Sequence, residues 1–64
     1  MTNIRETLQK CAERFREYER HHLKSADEVA EDDAVAMMER LSKAYRNGEM
    51  AELCEAALSD LGPG

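Results

Sequence analysis

Strand-forming residues are scarce in this sequence. The β-branched side chains are Thr2, Ile4, Thr7, Val29 and Val35 alone, so a sheet has almost nothing to be built from. The only proline, Pro63, stands near the C-terminus, and Gly48 is the only glycine before Gly62. Helix breakers are therefore nearly absent. Cysteine is limited to Cys11 and Cys54, with no CxxC pair, which excludes a disulfide framework or zinc site of the usual kind and fits a reducing compartment. No run approaches the ~18 apolar residues of a membrane span. The polar start MTNIRETLQK lacks the apolar stretch of a signal peptide. The expectation is a cytoplasmic protein with no membrane contact.

Ala, Glu, Arg, Leu, Met and Lys dominate what remains, and two or three long helices are the natural product. A chain of 64 residues is one domain at most; we assign residues 1–61 to a single helical domain and 62–64 to a flexible tail. Such a domain buries only roughly 60% of its unfolded surface, and a lone core of this size rarely supplies more than ~3–5 kcal/mol. A second subunit is the expected support.

The net charge of −5 is unevenly placed. Arg5, Lys10, Arg14, Arg16, Arg20 and Lys24 outnumber Glu6, Glu13, Glu17 and Glu19 in the first third, whereas the remainder is strongly acidic. Nucleic acid binding calls for a concentrated cationic face, so direct binding to nucleic acid is not expected.

Asn3, with Glu6 three residues on, forms a capping pair that starts a helix at Ile4. Ile4, Leu8, Cys11, Phe15, Tyr18 and His22 follow at alternating spacings of four and three, one continuous apolar seam on a helix predicted to end near Leu23. Ser25 and Glu28 repeat the capping pattern, with Asp27, Glu28 and Glu31 placed where a helix N-terminus favours negative charge. A second helix is predicted from there, its apolar face made of Ala30, Ala34, Met37, Met38, Leu41, Ala44 and Tyr45.

Folding the chain at residues 24–25 gives an antiparallel hairpin in which residue k faces roughly 49 − k. Ile4 then meets Tyr45, Leu8 meets Leu41, Cys11 meets Met38 and Phe15 meets Ala34, with Gly48 closing the hairpin. Met50, Leu53, Cys54, Ala57, Leu58 and Leu61 are left without a partner, on a face turned about 150–200° from that of residues 34–45. Two arrangements stay open. Either the chain breaks at Asn47-Gly48 and folds back as a short third helix, because glycine tolerates a helix C-terminus, or one helix continues as an extension that meets a second subunit. The fold class is an all-α antiparallel hairpin with this C-terminal extension or third helix, as a homodimer, and the six residues are its dimer or partner contact. On that reading Leu58 belongs to the subunit contact and not to the hairpin's own core.

Candidate chemistry is sparse. His21 and His22 point about 100° apart on a helix and cannot share a metal ion without distortion, since zinc helices use i, i+4 spacing; no metal or cofactor is expected. Cys11 and Cys54 sit among apolar residues and lack the neighbours of a reactive thiolate. No nucleophile–base set or phosphate-cradling loop can be assembled, so no catalytic residue is assigned and the chain is not expected to be an enzyme. The run Asp27, Glu28, Glu31, Asp32, Asp33 lacks the glycine and ligand spacing of a calcium loop. It is either a solvated helix start or an acidic patch that imitates nucleic acid phosphates.

The segments FREYERHH (15–22) and RNGEMAELCEAAL (46–58) resemble a loose group of short uncharacterised proteins of tailed phages and prophages of proteobacteria, in which Gly48 is often alanine. The resemblance covers about a third of the chain and brings no activity or site residues. It implies a phage accessory protein, in the host cytoplasm, that binds and inhibits or redirects a host protein. The alternative is an acidic decoy that blocks a host nuclease or defence complex through the carboxylates of 27–33 together with Glu49, Glu52 and Glu55.

Overall fold

The computed structural model describes residues 3–29 and 31–62, and these form two helices, α1 (Ile4–Asp27) and α2 (Ala34–Leu61). The hairpin is a rod of 50 × 18 × 15 Å. Asn3 caps α1 as its sequence position predicts, its side chain accepting from the backbone N–H groups of Arg5 at 2.9 Å and Glu6 at 3.4 Å. Gly62, with φ of +73°, ends α2 and returns its N–H to the Ser59 carbonyl. Pro63 and Gly64, most of the expected tail, lie outside the described residues, as does Ala30.

The turn is not where the second capping pattern places it. α1 runs through Ser25 to Asp27, and Ser25 uses its backbone carbonyl and its hydroxyl to hold the Arg40 guanidinium. The start of α2 is set by Asp33, whose carboxylate accepts from the N–H of Ala36 at 3.1 Å. Charge explains the shift. A helix through 25–33 would stack Asp27 on Glu31 and Glu28 on Glu31 and Asp32 at repulsive i, i+3 and i, i+4 spacings. Placing the break inside this run instead gathers Glu31, Asp32 and Asp33 at the N-terminus of α2, where the helix dipole favours them.

The register moves with the turn. Arg5 reaches the carbonyls of Leu61 and Gly62, Arg16 pairs with Glu55 at 2.7 Å, and Glu19 lies on Gly48. Residue k therefore faces roughly 66 − k, not 49 − k. The pairings expected for Ile4, Leu8, Cys11 and Phe15 with residues 34–45 do not form. Among the described residues there is neither a C-terminal extension nor a third helix: residues 49–61 are the second half of α2 and cover the first half of α1. This register leaves no long stretch of either helix without a neighbour, which is its advantage over a turn at 24–25.

The seam between the helices is made of small residues. Ala12, Ala26, Ala44, Gly48 and Ala51 are buried, and among the described residues no large side chain is fully enclosed. Met37, Ala44, Ala51 and Leu58 recur every seven residues, the repeat that keeps one face of a helix on its neighbour. Gly48 does not break α2. Asn47 donates its side-chain amide back to the Lys43 carbonyl at 2.8 Å within the helix, and a Cβ on Gly48 would meet only the carboxylate end of Glu19. Gly48→Ala gains ~0.8–1 kcal/mol of helix propensity. It requires the flexible Glu19 carboxylate to swing aside, disturbing a solvent-screened surface pair with Arg16 of a kind that contributes little to stability. We expect unchanged or slightly raised stability in urea denaturation; a loss above about 1 kcal/mol would show that Glu19 cannot yield.

Candidate interaction surfaces

α2 carries three apolar stripes. One, formed by Met37, Ala44, Gly48, Ala51 and Leu58, faces α1. At 100° per residue a second, formed by Ala34, Met38, Leu41 and Tyr45, is turned roughly 90° from the first, and a third, formed by Met50, Cys54, Ala57 and Leu61, is turned roughly 110° the other way. Both flanking stripes use the same 4-3-4 spacing. Periodicity alone did not reveal which stripe α1 would cover. The sequence reading chose the one with large side chains, whereas the buried one is rich in alanine and glycine, which allow the two backbones to approach closely.

The stripe of Ala34, Met38, Leu41 and Tyr45 is consequently a surface and not a core. Val35, beside it, is 72% exposed, Met38 62% and Tyr45 67%. Shallow grooves of about 360 and 380 Å³ run along it, lined chiefly by Val35, Met38, Ser42, Leu41 and Tyr45. Glu49, one turn beyond Tyr45, holds the phenol protonated above its usual range by a hydrogen bond and by its charge.

The six residues assigned to association divide. Leu58, Cys54 and Ala57 are half-buried, and Leu58 lies on the α1-facing stripe at the level of Leu8, where α1 covers part of it. Met50 and Leu61 remain exposed, and Leu53 stands apart on the outer side of α2, 64% exposed. The register sets Ile4, Leu8 and Cys11 of α1 beside Cys54, Ala57 and Leu61. Together they form an apolar patch at the open end of the hairpin, on the face opposite the Arg16–Glu55 pair. Sequence reasoning had identified the α2 half of this patch and missed the α1 half, because the misplaced turn carried Ile4 and Leu8 to the other end of the second helix.

Polar features are plain. Arg16 bridges Glu19 and Glu55, at 3.0 and 2.7 Å, and the guanidinium holds the Glu55 carboxyl below the usual carboxylate range. Asp27, Glu28, Glu31, Asp32 and Asp33 are all exposed around the turn, with Asp33 engaged as the α2 cap. Glu49 and Glu52 of the alternative acidic set lie about 24 Å or more away along α2 at 1.5 Å per residue. The His21 and His22 rings meet edge to face at 5.4 Å, with His22 half-buried and His21 exposed. Cys11 and Cys54 are free thiols, both half-buried. Among the described residues no three His, Cys, Asp or Glu side chains gather as a metal site would need, and no helix is long and apolar enough to cross a membrane. No family model, no curated protein and no solved structure matches this chain.

Proposed function

We propose that this protein acts by binding and not by catalysis: a phage-type helical interaction protein that docks the open-end patch on a host protein and blocks or redirects it. The observation that supports the reading most is the apolar patch of Ile4, Leu8 and Cys11 with Met50, Cys54, Ala57 and Leu61. An apolar area on so small a body, exposed at Ile4, Met50 and Leu61 and half-covered at Leu8, Cys11, Cys54 and Ala57, marks a contact surface, and Met50 supplies an adaptable side chain. The host as the source of the partner is suggested by the resemblance of residues 15–22 and 46–58 to small phage proteins. The matching partner surface is an apolar helix or groove of a folded protein, since a shallow patch without charge buries apolar area and little else.

A photo-crosslinking side chain placed at Leu61, in host lysate, tests this directly. The expected result is one dominant crosslinked host protein, absent when the crosslinker is moved to the exposed Glu17. Equal labelling from both positions, or labelling of the chain by itself alone, would defeat the reading. The decoy alternative is supported by the exposure of the carboxylates around the turn. A decoy would lose affinity for the captured protein steeply as salt rises, because exposed charges are screened beyond ~8–10 Å, whereas apolar docking would hold.

A further inference from the structure

We infer that the outer stripe of α2 is a self-association surface, on which a second copy of this chain packs its own α2 antiparallel about a two-fold axis near residues 41 and 42. The inference rests on the α2 stripe and is independent of the docking proposed for the open end. Three observations carry it.

The first is area. The chain exposes 5104 Å², about 900 Å² more than a compact monomeric protein of 7.3 kDa, for which the size scaling gives roughly 4200 Å². One partner in a standard interface buries about 800 Å²; the excess is spread over the whole elongated hairpin, and the three exposed turns of the α2 stripe supply part of it.

The second is shape. With the axis near residues 41 and 42, Met38 of one copy meets Tyr45 of the other, and Leu41 meets Ser42. The large side chain of Leu41 then falls opposite a small one, the arrangement that lets facing layers interdigitate. The 4-3-4 spacing of Ala34, Met38, Leu41 and Tyr45 is itself the seam of a helix packed on another helix. Joining two hairpins along it gives a four-helix body in which each α2 lies between its own α1 and the second α2.

The third is charge. Along the outer edge of the stripe stand Glu39 and Arg46, seven residues apart on one side of α2. The two-fold antiparallel pairing sets Glu39 of each copy beside Arg46 of the other, twice. A parallel two-fold pairing would instead carry the Glu39 and Arg46 edges of the two copies to opposite sides of the interface, where neither ion pair could form. Glu49 and Glu52 end the stripe and confine the contact to about three turns.

Light scattering on a sizing column, with circular dichroism on the same samples, tests the inference. Wild-type protein at high micromolar concentration is expected at twice the 7.3 kDa of one chain. Met38→Glu should run as a helical monomer, with association weakened at least tenfold, and Leu61→Glu should remain a dimer. Tyr45→Lys repeats the test should Met38→Glu lose its helix. Arg46→Glu alone should weaken association, and Glu39→Arg added to it should restore much of the loss. A wild-type monomer, or a dimer that survives Met38→Glu and Tyr45→Lys but not Leu61→Glu, overturns the surface. Failure of Glu39→Arg to rescue Arg46→Glu overturns the antiparallel arrangement. None of these results bears on crosslinking from Leu61.

Discussion

Ala51→Leu should lower the urea midpoint of this protein by about half, while Ala56→Leu, five residues along the same helix, should leave it almost unchanged. Ala51 has no exposed surface, whereas Ala56 is exposed. Ala51 belongs to the stripe with Ala44 and Gly48 that brings α2 close to α1, and three added carbons have no space between two backbones held that near. Overpacking of this kind costs ~1–3 kcal/mol, occasionally more. A domain of this size has ~3–5 kcal/mol in all, so a cost of about 2 kcal/mol, the middle of the overpacking range, removes about half of it, and the midpoint falls in proportion at constant denaturant slope. Helix propensity would argue the other way only weakly, since leucine is nearly as good a helix former as alanine. Urea titration followed by circular dichroism on the two variants and the wild type decides it. Equal midpoints for Ala51→Leu and the wild type would mean that the helices are not in close contact at this stripe.

The same stripe explains what the sequence could and could not disclose. Helix class, the cap at Asn3 and the stop after Leu61 were legible because each rests on local chemistry: a side-chain acceptor three residues from a free N–H, or a glycine free to adopt positive φ. The turn was not legible, because two rules met at 25–33 and gave opposite answers. Ser25 with Glu28 matches a helix start, but the carboxylates that follow repel one another inside a helix and are better placed at the N-terminus of a helix beginning at Ala34. The register depended on that choice, and so did every cross-helix pairing. The flanking stripes were legible as apolar faces, and even the large angle between residues 34–45 and 49–61 was; what the pattern lacked was the order in which α1 would cover them. Alanine and glycine at 44, 48 and 51 carry little hydrophobic signal individually, yet they decide the contact, because close approach of two helices depends on side chains too small to hold them apart.

Leu58→Glu should destabilise the hairpin itself, reversing the expectation drawn from the sequence that it would affect association and leave the helices intact. Leu58 occupies the α1-facing stripe, seven residues beyond Ala51, and is half-buried at the level of Leu8. Replacing it removes part of the ~1.5–3 kcal/mol that a fully buried leucine contributes. It also places a carboxylate where water reaches only one side, adding a partial desolvation cost. A total of about 2 kcal/mol is the expected loss, close to half the stability of so small a domain. The contrast is Leu53→Glu on the outer side of α2: its leucine is already 64% exposed, and surface changes of this sort usually stay within ~0.5 kcal/mol. Thermal melts of the two variants, each at low and high protein concentration, separate the possibilities. If Leu58→Glu lowers the midpoint equally at both concentrations, the lost contact is within one chain, as the register of Arg16 with Glu55 and Glu19 with Gly48 requires. If instead it leaves a low-concentration midpoint at the wild-type value and removes only the concentration dependence, Leu58 faces a second subunit and α2 beyond Gly48 does not lie on α1.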